Sequence, residues 1–429
     1  MQLQRSGSVW RGFGSVGPAG FFALGETGLF FDFSDPRTLT TDAAGATPLT
    51  APGQTIGLVA DKSRIRAPIT SYAGVQASAG LRPAWGRAPN TRRNLLLGTA
   101  ALATQSRAVI AAAHTLSFKG TGTITLTGAS TAGPLLGTGA DNRVALTFTP
   151  TAGGLTLTVA GSVTEAQLET AGAATPYQFV NSAFDMTEAG APAFGYTRLD
   201  GADDKLTVTL PGAITGDLMI FGRNGSWIET GVTLPSGAFD LGPTGTVLTP
   251  GVLRALGDLV GIVIIARTTT AAERALALRY FAARGAAGWL LAGAELITNG
   301  TFAVDASGWV SNNATLAVVG GELEFTATVS VHNVQRGVTV VPGTPYLFTF
   351  LARRGTIAAL KYSVYNATGL ADIVPSTAYA ADATMRPWQF VFIAPAGCVT
   401  ANVYMARDSG STGTAYFDNV SVKPLTVGA

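Results

Sequence analysis

Three residue types that often carry metal, covalent or redox chemistry are scarce in this 429-residue chain: one cysteine, two histidines and five lysines. Cys398 stands alone, so no intrachain disulfide forms, and its apolar neighbours predict a buried thiol. Charged residues are only 13% of the chain, about half the usual share. The 28 Lys+Arg nearly cancel the 26 Asp+Glu, and no long basic run occurs. Nucleic-acid binding therefore lacks its electrostatic footprint. Disorder is excluded too, because 47% hydrophobic residues supply ample surface to bury. The most apolar run, "LVGIVIIA" (259–266), is too short for a bilayer, and the first twenty residues hold no apolar signal core. These absences predict a protein made in a cytoplasm, without membrane insertion.

Threonine, glycine and alanine are abundant, and the apolar residues alternate with period two. In "RVALTFTPTAGGLTLTVAG", Val144, Leu146 and Phe148 point one way and Thr147 and Thr149 the other. Leu155, Leu157 and Val159 resume the pattern after Pro150–Gly154, which predicts a β-hairpin. "GTITLTG", "KLTVTL", "ELEFTATV", "YLFTFLA", "WQFVFIA" and "ANVYMA" read alike. Many short strands between Gly/Pro turns predict an all-β chain of tandem β-sandwich (jelly-roll) domains. One helix is expected over 270–284, where Thr270 and Glu273 form a capping box and Gly285 stops it. A shorter helical turn is expected in "GVLRALG" (251–257).

The predicted division has five parts. Residues 1–23 are a docking segment, 92–180 an inserted jelly roll, and 24–91 with 181–294 two parts of one sandwich. Residues 295–429 form a last module, whose opening "ELITNGTFAVDASGWV" pairs the apolar Leu296 and Ile297 with the turn dipeptide Asn299-Gly300 and reads as its first strand.

"FFDFSDPRTLTTDAAGATPLTAPGQTIGLVADKS" resembles the N-terminal segments of fibre and spike proteins from tailed phages and gene transfer agents. Asp32, Asp35-Pro36, Asp42, Gly45, Pro48, Gly53, Gly57 and Asp61 fill that family's pattern, which opens a concanavalin/laminin-G-like sandwich. "RLDGADDKL" and the helix "TAAERALALRYFAARGAAGW" resemble its later strand and closing helix. "AQLETAGAATPYQ" resembles an ending common in phage jelly rolls. These motifs cover most of residues 20–290 and are architectural. From 295 onward, "ELITNGTFAVDASGW", "GGELEF", "VPGTPYLFTFLAR", "WQFVFIAP" and "AYFDNVSV" follow the order of carbohydrate-binding modules of the family 4/9 kind. That second resemblance implies a structural calcium near both termini. Asp418 matches its late acidic position, while Ala303 stands where the early acidic residue would.

Catalysis finds little support. His114 and His332 lack the company of a triad, so structural roles are expected. Two histidines and one cysteine argue against a transition-metal site. Asp203-Asp204 read as a turn, and Glu322 and Glu324 as a solvated strand face. No long parallel β-helix repeat of the kind used by phage depolymerases is present. Sugar binding asks less: aromatic rings stack on pyranose faces, and nearby polar groups bond the hydroxyls. Tyr365 and Tyr404 are the candidate rings, both expected to be exposed, with Asn402, Gln389, Arg407 and Asp408 as polar partners. Trp309 and Trp388 are assigned to the core.

The sequence thus points to a homo-oligomeric, non-enzymatic fibre or spike subunit on the exterior of a phage-like particle. It would dock a capsid or tail base protein through Trp10, Phe13, Phe21 and Phe22 and hold bacterial surface polysaccharide. The alternatives are a structural spacer without glycan binding and a polysaccharide-degrading enzyme.

Overall fold

The computed structural model describes residues 21–22, 26–63, 73–200, 202–210, 212–242, 256–379 and 381–428. Trp10, Phe13 and most of the helical turn expected at 251–257 lie outside them. Among the described residues the chain is nearly all β, built of paired sheets with one helix longer than a turn.

The first pair of sheets draws on both sides of the middle segment. An eight-stranded sheet joins Gly28–Asp32 and Ala84–Ala88 to Gln178–Ser182, Asp185–Glu188, Phe194–Arg198, Leu259–Ile265, Ile214–Gly222 and Ser226–Leu234. A five-stranded sheet, which includes Leu39–Thr40 and Leu206–Leu210, faces it over Leu29, Phe31, Trp85, Val208, Leu218 and Ile262. Helix Ala271–Ala282 covers the other face through Ala277, Tyr280 and Phe281, against Phe30, Phe221 and Val263. Leu259–Ile265 is therefore buried on both faces, which is why it reads as one apolar run. The capping box forms as expected, with Thr270 and Glu273 each bonding the other's backbone N–H.

The acidic and glycine residues of the 32–61 pattern do turn chemistry. The Asp42 carboxylate accepts the amides of Ala44, Ala46 and Thr47. Asp61 accepts from Phe30 and Ser63, and Gly45 has φ +76°. Phe21, expected as a docking ring, instead packs into the core at 5.4 Å from Phe30, and Phe22 packs beside it.

The middle segment encloses its own core, with Leu116, Phe118, Ile124, Leu126, Leu155 and Leu157. The hairpin expected at 144–159 is not one. Gly139–Phe148 pairs with His114–Gly120 in a three-stranded sheet, whereas Gly153–Ala160 pairs with Gln105–Val109 and Thr123–Gly128 in a four-stranded one. The turn after Pro150 carries the chain across the sandwich. Period-two alternation fits both outcomes, because either strand points its apolar side at the same core.

The last unit has a six-stranded sheet containing Ala314–Val319, Glu322–Ala327, Gly413–Val427, Pro345–Arg354 and Arg386–Ile393. Its sixth strand, Leu290–Ala292, precedes the start expected at 295 and pairs with Leu425–Val427. The opposing five-stranded sheet runs Val310–Asn312, Asn333–Thr339, Thr400–Arg407, Leu360–Asn366 and Ala371–Tyr379. Phe302, Trp309, Phe325, Phe348, Phe350, Tyr362, Val403 and Phe417 fill the space between, and Trp388 packs against them. Leu296 and Ile297 do not form the expected first strand. They lie in a loop whose Asn299 carbonyl accepts the Trp309 indole N–H at 2.9 Å.

Candidate functional site

The two outer faces of the last unit have different neighbours. On the six-stranded sheet, Leu347, Val391 and Leu425 pack into the core of the first unit. Gln389, expected as a sugar partner, lies on this sheet, which packs against the first unit. Burial pushes the Glu229 carboxyl of that unit up, with the Gln389 side chain opposing the shift. Gln389 is thus sequestered from the candidate tyrosines, because alternation gives a side but not a sheet.

The five-stranded sheet points its other side chains outward. Thr400–Arg407 sends Ala401, Val403 and Met405 to the core and Asn402 and Tyr404 the other way. The register sets Gln335 and Ser363 on either side of Tyr404, and Gly337 and Tyr365 on either side of Asn402. Asn333 lies opposite Arg407, and Asp372 opposite Tyr365. Tyr365, Tyr404, Asn402 and Arg407 therefore share one face; alternation places Tyr404 and Asn402 together, and the register adds Tyr365 and Arg407. Asp408 stands exposed at the end of the same strand, its amide bonded to the His332 carbonyl at 2.8 Å.

Tyr404 departs from its expected exposure. It is only 7% exposed, with the Arg407 guanidinium 4.9 Å from its ring centroid, and burial pushes its phenol up. Tyr365 is half-buried, 5.4 Å from the same guanidinium. Arg407 donates to Ser363 Oγ at 3.0 Å and to Asp372 at 2.5 Å. Burial works against its charge, but the Asp372 pair outweighs it and the net shift is upward. Arg407 thus clamps two rings and two strands.

Asn333 and Gln335 escaped the sequence reading, as did Ser363 and Asp372. Asn333 Oδ1 and Gln335 Oε1 are buried and accept no hydrogen bond. A buried acceptor without a donor costs roughly 1–3 kcal/mol, so two on one face require a reason. Their alternation around Val334 was legible in "HNVQRG". Their position beside Tyr404 and Arg407 was not, because strand order is a long-range property.

Both histidines are fully buried and engaged at both ring nitrogens. His114 contacts the Ala112 carbonyl and Thr170 Oγ1, and His332 the Val329 carbonyl and Ser409 Oγ. Among the described residues one group of three acidic side chains lies close enough to share an ion, Asp200, Asp203 and Asp204. Asp200 Oδ1 there accepts the amides of Ala202, Asp203 and Asp204, which ties the turn together. Asp418 joins no such group, and its Oδ1 accepts the Asn419 amide at 2.7 Å. Its surroundings do not supply the acidic cage that a calcium ion prefers.

No family model and no curated protein matches the chain. Among solved structures it is similar to a CBM4 module, with 19% identity and a TM-score of 0.27 over 30% of this chain and 99% of that one. It is similar to the N-terminal cellulose-binding domain of Cellulomonas fimi β-1,4-glucanase C, with 20% identity and a TM-score of 0.26 over 32% and 100%. The enzymatically active domain of bacteriophage CBA120 tailspike protein 4 is 15% identical, with a TM-score of 0.26 over 30% of this chain and 21% of that one. This chain therefore spans about a fifth of the tailspike. Likenesses of this size carry no functional weight.

Proposed function

We propose that the outer face of the five-stranded sheet binds polysaccharide, and that the chain is a fibre or spike subunit presenting this face from a phage-like particle. The observation that carries the binding reading is the outward face on which the half-buried Tyr365 and Asn402 lie side by side, next to Tyr404 and Arg407. Tyr365 offers a partly open ring for a pyranose face, and Asn402 offers both a donor and an acceptor. The opposite sheet is already committed to the first unit, which leaves this face outward.

The particle role draws on the Thr/Gly-rich, charge-poor composition and on the fibre-like pattern at 32–61. In this reading residues 1–20 contact a capsid or tail base protein, and copies of the chain assemble together.

A bacterial glycan array probed with the full chain tests the binding. Wild type should bind at least one polysaccharide, and Asn402→Ala and Tyr365→Ala should each weaken it several-fold. Absence of binding at high protein concentration would leave the structural-spacer reading. Release of new reducing ends from a bound glycan would establish the enzyme reading.

A further inference from the structure

The two edges of the last unit meet water differently. At one edge the chain runs without a charged residue from Ala306 to Gly321, and again from Phe325 to Val331. Val310–Asn312 borders the five-stranded sheet there, and Ala314–Val319 borders the six-stranded one. Between them Asn313, at φ +53°, bends one strand into the next. Its carbonyl accepts from the Thr328 amide and hydroxyl at 3.3 and 3.1 Å, and its Nδ2 donates to the Val331 carbonyl at 2.9 Å. These bonds seat the 328–331 loop on the bend. Val310, Val319, Val329 and Val331 are all exposed.

Ala314–Val319 pairs on one side only. Gly320 and Gly321, at φ +63° and +83°, close a two-residue turn to Glu322–Ala327. Val319 therefore exchanges backbone hydrogen bonds with Glu322, and Ala317 and Thr315 with the residues opposite them. Leu316 and Val318 point their N–H and C=O groups the other way, where no strand pairs with them among the described residues. Thr315, Ala317 and Val319 are exposed, and the strand holds no charge, no proline and no bulge. Proteins ordinarily blunt an open edge with one of these. The opposite edge of the same unit does so. Ala371–Tyr379 carries Asp372 and Pro375 and shifts register twice, and Arg386–Ile393 opens on Arg386, which pairs with Asp382.

We propose that Ala314–Val319 is an interface with a second copy of this chain, the two strands pairing antiparallel about a two-fold axis at Ala317. That axis sets Leu316 of one copy opposite Val318 of the other, so the backbone groups left open on each are the ones that meet. The two six-stranded sheets then continue into one another. The lack of charge argues for this occupant. Near a two-fold axis a residue faces its own copy, so any charge there would repel itself. A foreign partner is selected by complementary charges, and this edge offers none. The same axis brings the Gly320-Gly321 turn of one copy, with open space around it, to the bend at Asn313 of the other. Its glycines place no side chain against Val329 and Val331.

Sedimentation of the full chain over a concentration series tests the assignment. One pair of short strands is smaller than a standard interface, so wild type should pass from monomer to dimer at about micromolar concentration or above. Ala317→Glu would set its carboxylate against its own copy and beside Glu324, and should stay monomeric while still melting cooperatively. Ala371→Glu, on the opposite edge, should dimerise like wild type. Ala317→Cys should form a disulfide-linked dimer when diamide is added as oxidant. Facing residues that exchange no hydrogen bonds have Cα atoms about 4.5 Å apart, within disulfide reach. Cys398, the other thiol in that variant, is buried. The cysteine variant also serves if Ala317→Glu does not fold.

A wild-type monomer at every soluble concentration overturns the proposal. So does a dimer that survives Ala317→Glu, a dimer lost in Ala371→Glu, an open-ended oligomer, or an Ala317→Cys chain that does not crosslink. The inference does not rest on glycan binding, which the array reads separately, so either can fail and leave the other standing.

Discussion

At the scale of single residues, Tyr365 and Tyr404 should answer differently to truncation. On the proposed face, losing the partly open Tyr365 ring would remove a stacking contact of about 1 kcal/mol and lower glycan affinity several-fold, while Tyr404→Ala would weaken binding by loosening the Arg407 it supports. Tyr404 is buried under Arg407, so Tyr404→Ala should also lower Tm, whereas Tyr365→Ala should barely move it. Equal Tm losses in the two would contradict their different burial. Trp309→Ala should destabilise the unit by about 3–5 kcal/mol, since it empties a core position and removes the bond to the Asn299 carbonyl. Denaturant unfolding measures it. Alternation told Val403 from Asn402 in the sequence. It could not foresee that Arg407, three residues on, would fold back over Tyr404.

Elements were legible where their signals are local. The helix over 271–282 announces itself through Thr270, Glu273 and Gly285, and all three act as read. The strands around Val144 and Leu157 were equally plain, but their partners were not. Which strand pairs with which depends on the whole chain, and a Pro-led turn can reverse the chain within a sheet or pass it to the opposite one.

The helix also carries a pH dependence. The Arg267 guanidinium, followed by the Thr270 backbone and hydroxyl, lowers the Glu273 carboxyl from 4.5 to about 2. A depressed carboxyl contributes stability above its unfolded value of 4.5 and loses it as pH falls toward 2. Glu273→Gln keeps a capping residue and removes the charge. The variant should melt below wild type at neutral pH, and the gap should close on acidification. A gap that persists at pH 2 would mean the charge is not its source.

At the scale of the whole molecule, the contact between the first and last units should be strengthened by acid. Glu229 is raised above 4.5 by burial, with Gln389 opposing the shift. Its contribution is therefore fully present below 4.5 and lost as pH rises through the folded value. Glu229→Gln should raise Tm at neutral pH and change nothing in acid, which a pair of melting series would check. A fragment starting at 288 should be more stable than one starting at 295, because only the first retains Leu290–Ala292 against Leu425–Val427. For particle attachment, removing residues 1–20 spares Phe21 and should give a folded protein that fails to join particles. Normal incorporation would exclude that segment as the anchor. Long-range contacts of this kind were beyond the sequence, where Leu347 and Val391 are simply the outward residues of two strands.

The lateral contact through Leu347, Val391 and Leu425, together with the short strand pair at 290–292, fastens the last unit at more than its peptide connection. A bead on a flexible tether can swivel toward any ligand but transmits no torque. A unit clamped along one sheet behaves as a short lever. In the proposed particle role, drag from a held cell at the outer face would turn the first unit with it, so that every copy would meet the cell at one fixed angle.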